Sequence, residues 1–319
     1  MNQIAVAIAT YNGGRRVIRQ LDSIVLQTKK PDEIVICDDK STDNTLDLID
    51  KYRKNHPEIK WKVIQNENNL GYKENFAKAI LETDSKYIFL SDQDDYWYKR
   101  KIEKMYEAIK SNPKIKVVTC GYNRVGEEDI KNKSIDGYDE EVSYDGIDQY
   151  LSFHLHHMEF NEYFYMTHYP GCSFVIDNSC KEWFLGDYWN GREPHDEYLL
   201  LYACLLDAAY FLDEQLMYYI RHEDAVTYKK MNNRIQRTKA LEGKEFALQL
   251  SLQILDNEKN ISNVKEKQKL VERQIELINS RIDFLKSPSV NKFIRLIKHI
   301  CHYEKISYLL GDIYLSMRS

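Results

Sequence analysis

The stretch IFLSDQDDYW spans Ile88 to Trp97. Its apolar start reads as a buried strand. Asp92, Asp94 and Asp95 follow at once, placing three carboxylates within four positions, and the aromatic pair Tyr96-Trp97 closes it. Outward from this stretch the pattern alternates. ENFAKAILE before it and KIEKMYEAIK after it have helical periodicity, and KIKVVTCGY reads as a further strand. Upstream, QIAVAIAT, EIVICDD and KWKVIQN read as strands separated by helical runs, one through Val17, Leu21, Ile24 and Val25 and one through Leu46, Leu48 and Ile49. Ser41-Thr42-Asp43 offers an N-cap to the second of these. Short buried strands joined by helices predict βαβ units and a mainly parallel sheet, an α/β fold.

The pattern decays between about Asn123 and Thr167, which reads as an insertion or lid. It resumes with GCSFVI, a helix from His195 to Leu206, and two strands, AAYFL and LMYYI. After Val226 helices are predicted over Asn232–Leu255, Val264–Leu285 and, beyond Pro288, Val290–Leu315. The expected division is an α/β domain over residues 1–225, with halves of about 1–121 and 122–225, and an all-helical domain over 226–319, with the boundary near Ala225–Met231.

The 319 residues are 43% hydrophobic and 30% charged, a globular composition with a sizeable core. Charge is uneven: residues 226–319 hold 18 Lys+Arg against 10 Asp+Glu, and the rest hold 27 against 40. The acidic body argues against nucleic acid as a partner. The six cysteines form no CxxC pair, which predicts reduced thiols in a cytoplasmic protein. The opening IAVAIAT follows no basic leader, so no signal peptide is expected. His154, His156 and His157 with Glu159 lack a closing pair at zinc spacing, and no zinc site is assigned.

In open α/β sheets ligands lie beyond the carboxyl ends of the strands. Three strands end in polar residues: Thr10-Tyr11-Asn12, Asp38-Asp39, and Asp92-Gln93-Asp94-Asp95. Carboxylates crowded in this way repel unless a cation holds them. Asp oxygens suit a hard divalent ion, Mg2+ or Mn2+, bound through one or two carboxylates and substrate phosphates. No GxGxxG or GxxxxGK[ST] loop is present, so dinucleotide and P-loop chemistry are not expected.

In order and spacing, IAVAIATYNG, VICDDKSTDNT, Asn69-Leu70-Gly71, FLSDQDDYW and PHDEYLLLYACLLDAAYFLDEQLMYYIRHEDA resemble the inverting nucleotide-sugar glycosyltransferases of the GT-A fold. The likeness is strongest to the large bacterial family with a TYN…DDxSxDxT…DxD pattern, and SDQDDxW is the form of its rhamnosyltransferase-like and cell-surface polysaccharide members. It covers roughly residues 3–228. The resemblance implies that Thr10, Tyr11, Asn12 and Asn69 line the nucleotide. Asp39 would accept the pyrimidine N3–H, which fits uridine or thymidine and not cytidine. Asp92 would lie near ribose and metal, with Asp94 and His222 as metal ligands. Lys73 would touch the diphosphate, and Gly171 would let backbone approach the donor. Asp196 would be the general base, with Glu197 as its rival.

The implied activity is transfer of one sugar from a UDP- or dTDP-sugar, dTDP-rhamnose placed first, to a glycan, glycolipid or glycoprotein acceptor. Two other readings stay open: a nucleotidyltransferase, since YNGGRR carries glycines and basic residues, and a non-catalytic nucleotide- or glycan-binding module. The basic C-terminal helices are expected to dock on the catalytic domain, to form a homo-oligomer, or to lie peripherally on the inner face of the cell membrane.

Overall fold

The runs IAVAIAT, EIVICD and YIFLS bury nearly every residue, as strands covered on both faces do. The computed structural model describes residues 3–131, 147–163, 169–223, 233–303 and 305–317. Its strands are β1 (Ile4–Thr10), β2 (Glu33–Asp38), β3 (Lys60–Gln65), β4 (Tyr87–Ser91), β5 (Tyr96–Trp97), β6 (Val117–Gly126), β7 (Leu155–His157), β8 (Phe174–Asp177) and β9 (Ala209–Arg221). The helices run α1 (Arg15–Val25), α2 (Thr45–Lys54), α3 (Tyr72–Leu81), α4 (Lys101–Lys110), α5 (Glu127–Lys131), α6 (Ile147–His154), α7 (Phe160–Tyr163), α8 (Lys181–Leu185), α9 (His195–Leu205), α10 (Arg234–Asn257), α11 (Val264–Lys286), α12 (Val290–Lys298) and α13 (Ile306–Ser316).

All nine strands form one sheet in the order β3-β2-β1-β4-β8-β6-β9-β5, with β7 also on β9. β3, β2, β1 and β4 are parallel, as are β6 and β9, whereas β8 is antiparallel to both its neighbours. This is the mainly parallel, helix-flanked sheet that the alternating sequence predicts. Ile4, Val6 and Ile8 of β1 share a core with Ile34 and Ile36 of β2, Val17, Leu21 and Ile24 of α1, Ile49 of α2, and Ile102 and Met105 of α4. α3 packs on β1 and β2 outside that cluster. Strand alternation turns Ala5 and Ala7 away from the first core, and side chains this small let a helix come close.

The described residues divide into two compact units. One is drawn from 1–158, 168–203 and 208–225, the other from 159–167, 204–207 and 226–319. In the second, α11, α12 and α13 share a core of Leu277, Phe284, Leu296, Tyr303 and Leu309. Asp312 is wholly buried there and accepts from Arg281 Nε at 2.6 Å, Arg237 Nε at 3.1 Å and the Tyr303 hydroxyl at 3.2 Å.

Several expectations need correction. AAYFL and LMYYI are one strand, β9. Its polar middle marks register shifts against Gly121 instead of a turn. Tyr96-Trp97, to which the sequence assigns no element, forms the short strand β5 and pairs with Tyr218 and Met217 of β9. The third C-terminal helix is two, α12 and α13, with a 3-10 turn at Ile300–His302 between them. α2 starts at Thr45 behind Asn44; of the expected Ser41-Thr42-Asp43, Asp43 accepts from the Thr45 amide at 3.0 Å, while Ser41 bonds Asp38 instead. Residues 132–146 and 164–168 of the expected insertion, and 224–232 around the expected boundary, lie outside the described residues.

Candidate active site

The register sets three strand ends level: Thr10 lies opposite Asp38, and Ile8 opposite Ser91. The polar residues beyond them therefore share one rim, as the carboxyl ends of a parallel sheet must. The Thr10 hydroxyl donates to Asp38 Oδ2 at 2.9 Å, and Ser41 donates to the same carboxylate through its amide at 2.8 Å and its hydroxyl at 2.6 Å. Asp38 is thus a strut for the loop after β2. Asn12, at a left-handed φ of 49°, donates its amide to Ser41 Oγ and accepts from the Thr42 amide, both at 2.8 Å.

Asp39 is buried, and its carboxylate gathers the turn before α3. Oδ1 accepts from Asn66 Nδ2 at 3.0 Å and the Leu70 amide at 2.7 Å, and Oδ2 accepts from the Gly71 amide at 2.8 Å. Asn69 donates to the Asp39 carbonyl at 3.2 Å. A carboxylate offers about four acceptor positions, so three donors leave one, on Oδ2. Tyr11 projects its ring outward at 48% exposure, while Gln93 grips its backbone, accepting from the amide at 2.9 Å and donating to the carbonyl at 3.0 Å. Gln93 sits inside the acidic stretch, and nothing in its sequence neighbourhood marks this role.

The acidic residues after β4 fall into two groups. Because β5 pairs with β9, Asp94 and Asp95 come level with the end of β9. Asp95 Oδ1 accepts from the Ile220 amide at 3.0 Å, and Asp94 Oδ2 lies 2.6 Å from His222 Nε2. That contact with Asp94 raises the His222 pKa, favouring imidazolium. Asp92, Asp95 and Cys172 form the second group, with one ligand atom from each all within 4.8 Å of one another. Among the described residues no other three His, Cys, Asp or Glu side chains meet in this way. Burial, followed by the charge of Asp94, pushes Asp95 up to about 7, and burial with Asp95 and Asp94 drives Asp92 well above the carboxylate range. Asp95 Oδ2 is buried without a hydrogen-bond partner.

The two carboxylates of this set fit a divalent cation: acids that resist ionising together gain most from one, and an unpaired buried oxygen is available to it, whereas burial pushes the Cys172 thiol well up and leaves it a poor ligand for a hard ion. Of the expected Asp92, Asp94 and His222, Asp94 and His222 are bonded to each other, and Asp92 lies beside Asp95 and within the field of Asp94. Below lies Lys101, absent from the sequence reading because lysines are rarely buried. It is fully buried; its ammonium donates to the Cys172 carbonyl at 2.6 Å and sits 4.2 Å from the Trp97 ring centroid.

On the same rim, Asp196 Oδ2 accepts from the Gly171 amide at 3.1 Å, and Oδ1 from the Glu197 amide at 2.9 Å. Its charge contributes to raising the pKa of Asp92, so the α9 start and the acidic group share one field. His195 is buried and stacks on Phe76 at 4.0 Å, with neither ring nitrogen hydrogen-bonded; burial lowers its pKa and keeps it neutral. A Cβ on Gly171 would lie 2.4 Å from His195 Nε2, so this glycine lets the loop before β8 close on α9. Nearby, burial and then Glu197 push Glu193 up to about 7. Lys73 donates to the Arg192 carbonyl and is tied to that loop.

Residues 5–175, just over half of the chain, match the family described as glycosyl transferase family 2. The dTDP-rhamnosyl transferase RfbG of Shigella flexneri is 27% identical over 234 residues, 68% of this chain and 72% of that one. Among solved structures, S. aureus TarS 1-349 in complex with UDP-GlcNAc superposes with a TM-score of 0.60 at 15% identity, covering 93% of this chain and 79% of that chain. Mannosyltransferase PcManGT from Pyrobaculum calidifontis, in complex with GDP-Man and Mn2+, gives 0.57 at 13%, covering 99% and 84%. These likenesses identify the sheet and its helices as the GT-A fold.

Proposed function

The chain belongs to glycosyl transferase family 2, and from that premise we propose that it transfers one sugar, with inversion, from a UDP- or dTDP-sugar to a glycan or lipid-linked acceptor in surface polysaccharide synthesis. The observation that carries this reading is the rim itself. Asp39, the Asp92–Asp95 group and Asp196 stand at the ends of β2, β4 and the start of α9, and the charge of Asp196 reaches Asp92. We assign residues 1–225 as the catalytic domain and 226–319 as a helical appendage.

The donor base would lie against Tyr11 and Asn12. The open acceptor position on Asp39 Oδ2 supports a hydrogen bond from the N3–H of uracil or thymine; cytosine has no such hydrogen. Among donors dTDP-rhamnose is placed first, because RfbG carries that activity in its name and the SDQDDYW form points the same way. Asp92, with Asp94 and Asp95 beside it, would hold Mg2+ or Mn2+, which supplies positive charge to the leaving diphosphate. Asp196 takes the proton of the acceptor hydroxyl as that oxygen bonds to the anomeric carbon. The bond from that carbon to the diphosphate breaks, and the diphosphate keeps the electron pair. The Gly171 and Glu197 amides fix the Asp196 carboxylate, which supports Asp196 over Glu197 as base.

The test is a thermal-shift panel of UDP, dTDP and their sugars with and without Mn2+, followed by transfer assays. Asp196→Asn is expected to keep donor binding and abolish transfer, and Asp94→Ala to abolish metal-dependent donor hydrolysis. Donor hydrolysis that survives Asp94→Ala unchanged defeats the metal assignment. Loss of donor binding in Asp196→Asn removes Asp196 from the base role.

A further inference from the structure

A helix packed on a core shows its apolar side chains inward and its polar ones to water. α12 and α13 do this and more. Leu296 of α12 and Leu309 of α13 face the core, exposed at 0% and 4%. Yet Val290, Ile294 and Ile297 stand exposed at 75%, 52% and 40%, spaced i, i+4, i+7 on a second face of α12. On α13, Ile306, Leu310 and Tyr314 repeat the device at 65%, 60% and 52%, and Met317, just past its end, is 80% exposed. Of fourteen large apolar side chains exposed among the described residues, eight lie within 290–317. Scattered exposed apolar residues need no cause, but two regular stripes on consecutive helices of one unit do.

The charge beside the stripes selects their occupant. At 100° per residue, Lys298 and Arg295 follow the apolar arc of α12 on one side, and Lys305 precedes α13. From Lys286 to Ser319 the sequence holds six Lys+Arg and two Asp+Glu, and one of those acids, Asp312, is spent on the buried arginines; Lys286 pairs with Glu242, and Lys292 and Arg295 share Asp283. Among the described residues no helix is long and apolar enough to cross a membrane. A second copy of the chain would set Arg295, Lys298 and Lys305 against a surface of their own sign, which costs energy. An apolar stripe bordered by cations fits a hydrocarbon boundary under anionic headgroups.

We propose that α12 and α13 form a membrane-docking face that lies in the interface of an anionic phospholipid bilayer, the isoleucine and leucine side chains entering the acyl region and the lysines and arginine meeting phosphates. This stands on the helical unit alone and does not depend on the transferase reading. The test is flotation of the full chain with vesicles of phosphatidylcholine, with or without phosphatidylglycerol. Binding is expected only with phosphatidylglycerol, and is expected to weaken in high salt. Ile294→Glu with Leu310→Glu should reduce it roughly tenfold or more, while Leu185→Glu, at an exposed site in the other unit, should leave it intact. Both exposed substitutions should leave the unfolding temperature unchanged. Failure to float with phosphatidylglycerol vesicles, or flotation indifferent to the double substitution, overturns the proposal. So does a dimer in light scattering that the double substitution dissociates without any vesicle binding, which makes the face a self-association surface.

Discussion

Replacing Asp39 by Asn tests structure and specificity with a single exchange of an oxygen for an amide nitrogen. Three donors converge on the native carboxylate: Asn66 Nδ2 at 3.0 Å and the Leu70 amide at 2.7 Å on Oδ1, and the Gly71 amide at 2.8 Å on Oδ2. An asparagine that keeps its oxygen toward Asn66 and Leu70 points its NH2 at the Gly71 amide; the flipped rotamer confronts two donors and is worse. The better rotamer still loses one bond to a charged acceptor, worth about 1.5–3 kcal/mol, and weakens two more. The expected destabilisation is about 2–4 kcal/mol, and thermal unfolding should fall by roughly 5–15 °C for a domain of this size. The same exchange inverts the proposed base contact: an amide NH2 opposes the N3–H of uracil but can donate to N3 of cytosine. The preference for UDP over CDP, measured as a ratio of dissociation constants by calorimetry at a temperature where the variant is folded, should drop by roughly tenfold or more. An unfolding free energy unchanged within about 0.5 kcal/mol refutes the hydrogen-bond account. Lost stability with an unaltered UDP:CDP ratio leaves Asp39 as a turn strut and moves base reading elsewhere.

Asp312→Ala strands the buried Arg281 guanidinium and should cost about 3–5 kcal/mol, seen as loss of helical circular dichroism at lower urea; an unchanged midpoint rejects the buried cluster as a brace. Glu193, nearly buried and with its pKa raised from 4.5 to about 7, resists ionising in the folded state. The Glu193 contribution to native stability is therefore undiminished below about pH 4.5 and falls as pH rises from there to about 7, by up to roughly 3 kcal/mol. Glu193→Gln removes its share of the slope and leaves that of Asp95 and Glu214, which burial also pushes up to about 7, so the variant should gain on the wild type in denaturation midpoint between about pH 5 and 8, and parallel curves contradict the burial argument. Gly171→Ala puts a methyl 2.4 Å from His195 Nε2, and the ring cannot retreat because it stacks on Phe76 at 4.0 Å. The expected cost is about 1–3 kcal/mol, with kcat lowered about tenfold or more and donor affinity retained, as a kcat and calorimetry comparison would reveal.

The sheet was legible because its central strands are buried on both faces, so each is a run of apolar residues that ends abruptly in polar ones. β1, β2 and β4 announce both themselves and the rim in this way. The edge toward β9 was less legible for a physical reason. Asp213, Glu214 and Gln215 look like a turn between two short strands, but they occupy a register shift where Gln215 comes opposite Gly121. Bulges admit polar residues into a strand without ending it, and periodicity alone does not distinguish them from turns. The break between α12 and α13 hid for the converse reason: HICHYEK contains neither glycine nor proline, so nothing local punctuates the helix.

The same limit explains the site. Residues placed by their own strand, such as Thr10, Asp39 and Asp92, could be named from order along the chain. Residues placed by pairing between distant strands could not be fully resolved. His222 was expected near the acids, but only the β5–β9 ladder makes Asp94 its partner and turns Asp95 toward Ile220 and Asp92. Lys101 takes the point further. Its ammonium is buried below carboxylates whose own pKa values rise, so cation and acids each lose part of their charge to burial. A cluster in which Asp92, Asp95 and Lys101 each resist ionisation would change charge on taking up the proposed divalent ion, and that coupling belongs to the assembled rim, not to any segment of sequence.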